Sequence, residues 1–105
     1  MYKFERLESQ IRFQISQIIQ TKLRDSRIGF ITITKVELNS DMSVVKVFYS
    51  QIGSEKQKSE TQKGLASAKS FIKKHLGQTL KTRSVPNIHF KYDPSLEFNS
   101  TTQSE

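Results

Sequence analysis

Phe30-Ile31-Thr32-Ile33-Thr34-Lys35-Val36-Glu37-Leu38, then Asn39-Ser40-Asp41, then Ser43-Val44-Val45-Lys46-Val47-Phe48-Tyr49, is the passage on which the fold turns. Each flank is rich in β-branched and aromatic residues, which suit a pleated, half-buried surface, and Asn-Ser-Asp between them is turn chemistry. The two flanks therefore read as the strands of a hairpin. The apolar phase shifts between Ile33 and Val36, which predicts a bulge in the first strand.

Upstream of the hairpin, Phe4, Leu7, Ile11, Ile15 and Ile18 recur at helical spacing among Glu, Gln, Ser and Arg, an amphipathic helix ending near Leu23. The polar, basic stretch Lys22 to Gly29 turns that helix into the strand. Downstream, Ser50 to Gln62 reads as a surface loop running into a second helical region, whose stripe is Leu65, Ala68, Ile72, Leu76 and Leu80. Arg83-Ser84-Val85-Pro86 breaks it, because proline lacks the N–H and restricts the residue before it. Asn87-Ile88-His89-Phe90-Lys91-Tyr92 alternates as a third strand with Ile88, Phe90 and Tyr92 toward the core, and Asp93-Pro94 ends it. The pattern predicts an α+β fold with a three-stranded sheet and helices on one face, one domain over residues 1–98, and a frayed polar tail over 99–105.

At 105 residues there is room for one domain only, and a hydrophobic fraction of 34% predicts a thin core without a large cofactor cavity. The absence of cysteine excludes disulfides, thiolate metal sites and thiol nucleophiles, and His75 and His89 alone do not make a metal centre. His75 falls between Phe71 and Ile72 on the helical wheel and reads as a structural, partly buried histidine. The N-terminal residues mix charges and lack the apolar run of a signal peptide, and no stretch is long and apolar enough to span a membrane. These features point to a cytoplasmic protein. No nucleophile with its base, carboxylate pair or phosphate-cradling glycine loop is visible, so the expectation is a protein without catalytic residues, cofactor, metal or small-molecule substrate.

Charge carries the functional signal. Seventeen Lys and Arg against ten Asp and Glu give a net +7, which favours polyanionic partners. From Lys56 to Lys91 there are nine basic residues and one acid, Glu60, whereas a merely solubilising surface mixes both signs. At roughly 100° per residue Lys63, Lys74 and Lys81 line up opposite the Leu65, Ile72, Leu76 stripe, with Lys73 beside them. With Lys69, Arg83, and Arg24 and Arg27 in the helix-to-strand turn, they form the expected phosphate-binding set. Asp25 is expected to organise that turn and leave both arginines facing the same side as the lysines. A basic adaptor for an acidic protein partner is the alternative reading of the same charge.

Three stretches together resemble the ribosome-binding factor A family. They are Leu23-Arg24-Asp25-Ser26-Arg27-Ile28 running through the hairpin to Phe48, Leu65-Ala66-Ser67-Ala68-Lys69-Ser70-Phe71-Ile72-Lys73, and Leu80-Lys81-Thr82-Arg83-Ser84-Val85-Pro86-Asn87-Ile88-His89-Phe90-Lys91-Tyr92-Asp93. Each is short, but their order and spacing span most of the chain. The resemblance implies a type II KH-like fold, helix, strand, strand, helix, kink, helix, strand, with an Ala-x-Gly kink in place of a GxxG clamp. Ala68-Lys69-Ser70 occupies the kink position, with serine where glycine is common. A break there would also relieve Lys69, which a straight helix puts about 40° from Leu65, and would expose free N–H groups to an anion. The resemblance further implies binding, as a monomer when off the ribosome, to the immature small (30S) ribosomal subunit and its 16S rRNA, help in late maturation including the 5′ end, and a part in cold adaptation, without cutting RNA.

Overall fold

The computed structural model describes residues 4–80 and 84–95. Helix α1 (Glu5–Thr21) is followed by strands β1 (Thr32–Leu38) and β2 (Val44–Ser50), helix α2 (Glu55–Thr79) and strand β3 (Asn87–Tyr92). The sheet order is β1-β2-β3, with β1 and β2 antiparallel and β2 and β3 parallel. The expected bulge is present, as the β1–β2 register shifts between Ile33 and Lys35. Beyond it Val36, Leu38, Val45, Val47 and Ile88 share the face that meets Ile11, Ile15 and Ile18 of α1 and Ala68, Ile72 and Leu76 of α2 in one core. Lys35, Glu37, Lys46, Phe48, His89 and Lys91 occupy the other face. Both helices therefore cover one side of the sheet. The proposed tail lies outside the described residues.

Several expectations are corrected. The second helical region is one α-helix, Glu55–Thr79, without the break expected at Ala68-Lys69-Ser70, so no second helix starts there and the anion site expected at such a start is not formed. Thr61, Gly64, Leu65, Ala68, Ile72 and Leu76 form its buried stripe, while Lys69 lies at the stripe's edge and is exposed. The conflict that a kink would relieve does not arise, and no glycine or proline at this point interrupts the hydrogen-bond ladder.

Helix α2 also starts well before its apolar stripe. Ser54 Oγ accepts from Gln57 N at 3.1 Å and Ser54 N donates to Gln57 Oε1 at 2.7 Å, a reciprocal cap that satisfies two otherwise free N–H groups. The strand expected from Phe30 begins instead at Thr32, and Phe30 stands in solvent.

The loop between α1 and β1 is fastened to α2. Thr61, fully buried, accepts the Gly29 N–H at 3.2 Å and donates to the Arg27 carbonyl at 3.4 Å. One turn on, Gly64 leaves space for Ile28: a β-carbon there would stand 2.6 Å from Ile28 Cγ1 and 3.4 Å from Arg27 Cβ. On an open helix Gly→Ala stabilises by about 1 kcal/mol. At Gly64 the sign reverses: Gly64→Ala is expected to destabilise by about 1–3 kcal/mol through overpacking, read as a lowered midpoint in chemical denaturation.

Candidate nucleic-acid interface

Helix α2 buries one face against the sheet and thereby turns the opposite one outward. At about 100° per residue Lys56, Lys63 and Lys74 fall within about 20° of one line on that outer face, and all three are exposed. With a 1.5 Å rise per residue, the line extends about 10 Å from Lys56 to Lys63 and about 16 Å more to Lys74. Among the described residues no carboxylate pairs with Lys63, Lys69 or Lys74; the described ion pairs are Arg27–Asp25, Lys35–Glu37 and Lys58–Glu55. Lys69 and Lys73 are rotated toward β3, where the Lys73 ammonium donates to Asn87 Oδ1 at 2.8 Å. The lysines thus form a broad strip with one line opposite the core. Lys81 and Arg83 lie outside the described residues.

The arginine turn is placed partly as expected. Asp25 does organise it: its Oδ1 accepts the Arg27 backbone N–H at 2.9 Å, and its carbonyl accepts from Ile28 N at 3.1 Å. Its carboxylate does not leave Arg27 free, however. The guanidinium donates from Nε to Oδ1 at 3.0 Å and from Nη2 to Oδ2 at 2.7 Å. This fork-on-carboxylate geometry cancels the arginine's charge locally, so a phosphate must compete with Asp25 for it. Arg24 is exposed and carries no such bond. The contacts to Thr61 and Gly64 dock this turn on the buried side of α2, away from the Lys63–Lys74 line, and Arg27 lines an open cleft with Lys56 and Glu60 near the start of the helix.

The strand aromatics belong mainly to the core. Tyr49 is buried and meets Phe90 and Tyr92 edge-on at 6.2 and 5.7 Å. Phe48 faces the open side, with the Lys35 ammonium 5.0 Å from its ring centre. The His75 ring meets that of Phe71 at 4.3 Å, tilted by 44°, and is half-buried, as its wheel position implies. Among the described residues no group of His, Asp and Glu could hold a metal ion, and no helix is long and apolar enough to cross a membrane. Sequence reasoning missed Phe30, Gln51 and Ile52, which line one open cleft near the start of α2. Their only signal was local, a glycine before Phe30 and after Ile52 that ends regular structure.

Arg27 sets the acidity of Asp25. Its hydrogen bonds to the carboxylate lower that pKa from 3.8 to about 2. Because the folded value lies below the unfolded one, the pair's contribution to stability is complete above about 3.8 and is lost as pH falls through about 2. An NMR titration is expected to place the Asp25 carboxyl near 2 and, in Arg27→Ala, to return it toward 3.8.

A family model described as ribosome-binding factor A matches residues 3–104. Ribosome-binding factor A of Staphylococcus saprophyticus is 43% identical over 96 residues, covering 91% of this chain and 84% of that protein. The fold is similar to the crystal structure of ribosome-binding factor A from Thermus thermophilus, with 25% identity and a TM-score of 0.74 over 83% of this chain and 91% of that one. It is similar also to the Thermus thermophilus homology model fitted into a cryo-EM map of a 30S complex of the factor, with 25% identity and a TM-score of 0.70 over 85% and 93% of the two chains. With its sequence matched almost from end to end and its strands and helices superposing on solved members, the chain belongs to the ribosome-binding factor A family.

Proposed function

We propose that this protein binds the immature small ribosomal subunit through 16S rRNA and assists late maturation of that RNA, its 5′ end included, as a monomeric cytoplasmic factor that does not itself cut RNA and that matters most in the cold. The observation that carries this reading is the outer face of α2, where Lys56, Lys63 and Lys74 stand in line and Lys69 and Lys73 flank them. An RNA backbone is a regular array of negative charge, and a line of exposed ammonium groups binds it by releasing its counterions, with no need of a catalytic group. Arg24 in the α1–β1 turn, and Arg27 where phosphate displaces Asp25, add charge near the start of the helix; Lys81 and Arg83, which follow the helix in sequence, complete the proposed set. The description of a Thermus relative in a 30S complex supports the small subunit as the partner.

If about four to six phosphates are neutralised, the logarithm of the binding constant is expected to fall against the logarithm of salt with a slope of roughly −3 to −5. Lys63→Glu combined with Lys74→Glu is expected to remove most co-sedimentation with small subunits. Both side chains are exposed, so each change should alter stability by no more than about 0.5 kcal/mol. A flat salt dependence, or full binding by the double variant, overturns the reading. Co-sedimentation that follows an acidic protein stripped from the subunit, and not its RNA, would favour the adaptor reading.

A further inference from the structure

The two edges of the sheet are finished differently. At β1 the Leu38 N–H points away from β2, since its neighbour Asn39 donates to the Val44 carbonyl, and Glu8 Oε2 of α1 takes it at 2.7 Å. The bulge between Ile33 and Lys35 interrupts the rest of that edge. Strand β3, the other edge, has neither device. Its register on β2 runs unbroken from Asn87 to Tyr92. Asn87 N donates to the Ser43 carbonyl and Asp93 N to the Tyr49 carbonyl, so these alternate residues turn their backbone toward β2, while Ile88 and Phe90 turn theirs outward. No strand pairs with that side among the described residues. Between β3 and the first half of α2 lies an open cleft of about 400 Å³, lined by Tyr49, Lys58, Gln62, Phe90 and Tyr92 among others. Phe90 and Tyr92 are only half-buried.

We propose that β3 takes an added strand at this edge: an extended protein segment whose side chains alternate apolar and acidic, held by main-chain hydrogen bonds to Ile88 and Phe90. Alternate side chains of such a strand fall on opposite faces of the sheet. The apolar set enters the cleft against Phe90 and Tyr92, and the acidic set stands beside His89 and Lys91, both exposed on the open face. Charge selects this occupant. The flank of α2 toward β3 adds Lys69 and Lys73, while the acids nearby are engaged, Glu55 by Lys58 at 3.5 Å and Asp93 by Thr34 Oγ1 at 2.6 Å and the Ser95 N–H at 3.0 Å. A second copy of the chain is disfavoured, because pairing two β3 edges brings two sets of these basic side chains together in a protein that already carries +7. An RNA strand answers the charge but has no row of amides and carbonyls to match Ile88 and Phe90. The line of Lys56, Lys63 and Lys74 is turned about 100° around the helix from Lys73, so a protein segment on β3 and RNA on the lysine face do not exclude one another.

The test uses the full chain and a short synthetic peptide of alternating Glu and Val, with two control peptides: one with Lys in place of Glu, and one that keeps the Glu and Val side chains but is N-methylated at every amide. Binding is read by fluorescence anisotropy and, in NMR, by exchange of the Ile88 and Phe90 amide protons with deuterated solvent. Near-saturating Glu-Val peptide is expected to slow both amides about tenfold. The Lys peptide is expected to bind at least about threefold more weakly, and His89→Glu with Lys91→Glu, two exposed changes, to weaken the Glu-Val peptide by about as much. The N-methylated peptide is expected to leave the exchange unchanged. The assignment is overturned if the Glu-Val peptide does not slow these amides, or if the N-methylated peptide binds as well as its parent, since the attraction is then charge alone. It is equally overturned if oligouridylate slows the same two amides, which puts RNA on the edge, or if they are slow in the protein alone and quicken on dilution, which puts a second copy there. Co-sedimentation with small subunits is not among these readouts, so the RNA reading and this one fail separately.

Discussion

The parallel pairing of β2 with β3 governs the rest of this molecule. Two parallel strands that follow one another cannot be joined by a tight turn, so the chain must cross the sheet between them, and α2 is that crossing. A helix laid on a sheet must bury one stripe. Thr61, Gly64, Leu65, Ala68, Ile72 and Leu76 supply it, and the face opposite is then committed to solvent. Lys63 and Lys74 are on that face because of their spacing from Leu65 and Ile72. The lysine face is therefore a by-product of strand order: a geometry chosen for the core turns Lys56, Lys63 and Lys74 outward.

The same crossing makes α2 the backbone to which the α1–β1 turn is attached. Thr61 is the clasp, and Gly64 lets Ile28 come close enough for the clasp to close. Within the turn Asp25 holds both the backbone and the guanidinium of Arg27. Arg27 is thus a structural cation first, and a phosphate gains it only by displacing a carboxylate whose proton affinity is already depressed. Arg24, without such a partner, contributes its charge outright. Neighbouring basic residues in one short motif play different electrostatic parts.

Three segments that lack strong periodicity meet at the start of α2. Ser54 and Gln57 cap the helix, Gln51 fills the gap behind Gly29, and Phe30 and Ile52 are left outside. One side-chain atom there, Gln51 Oε1, is buried without a hydrogen-bond partner among the described residues. The lysine strip differs, since its exposed charged groups remain hydrated and need no partner to be satisfied.

The sequence by itself determined the elements whose signal is periodic: the α1 stripe from Leu7 to Ile18, the hairpin with its bulge after Ile33, the third strand with Ile88 and Phe90 inward, and the lysines opposite Leu65 and Ile72. Each follows from a fixed angle per residue and a requirement to bury apolar area, and neither depends on distant parts of the chain. The early start of α2 was readable only through Ser54 and Gln57, because its first two turns bury little but a threonine. Tertiary structure decided the remainder. Whether α2 breaks at Ala68-Lys69-Ser70 depended on where the sheet placed the centre of its buried stripe, and that placement left Lys69 at the edge with no strain to relieve. Whether Arg27 was available depended on a side-chain torsion that brings it back onto Asp25, and Phe30, Gln51 and Ile52 became neighbours only when two loops far apart in sequence were drawn to one helix end. Contacts of that kind carry no period, so only the folded chain discloses them.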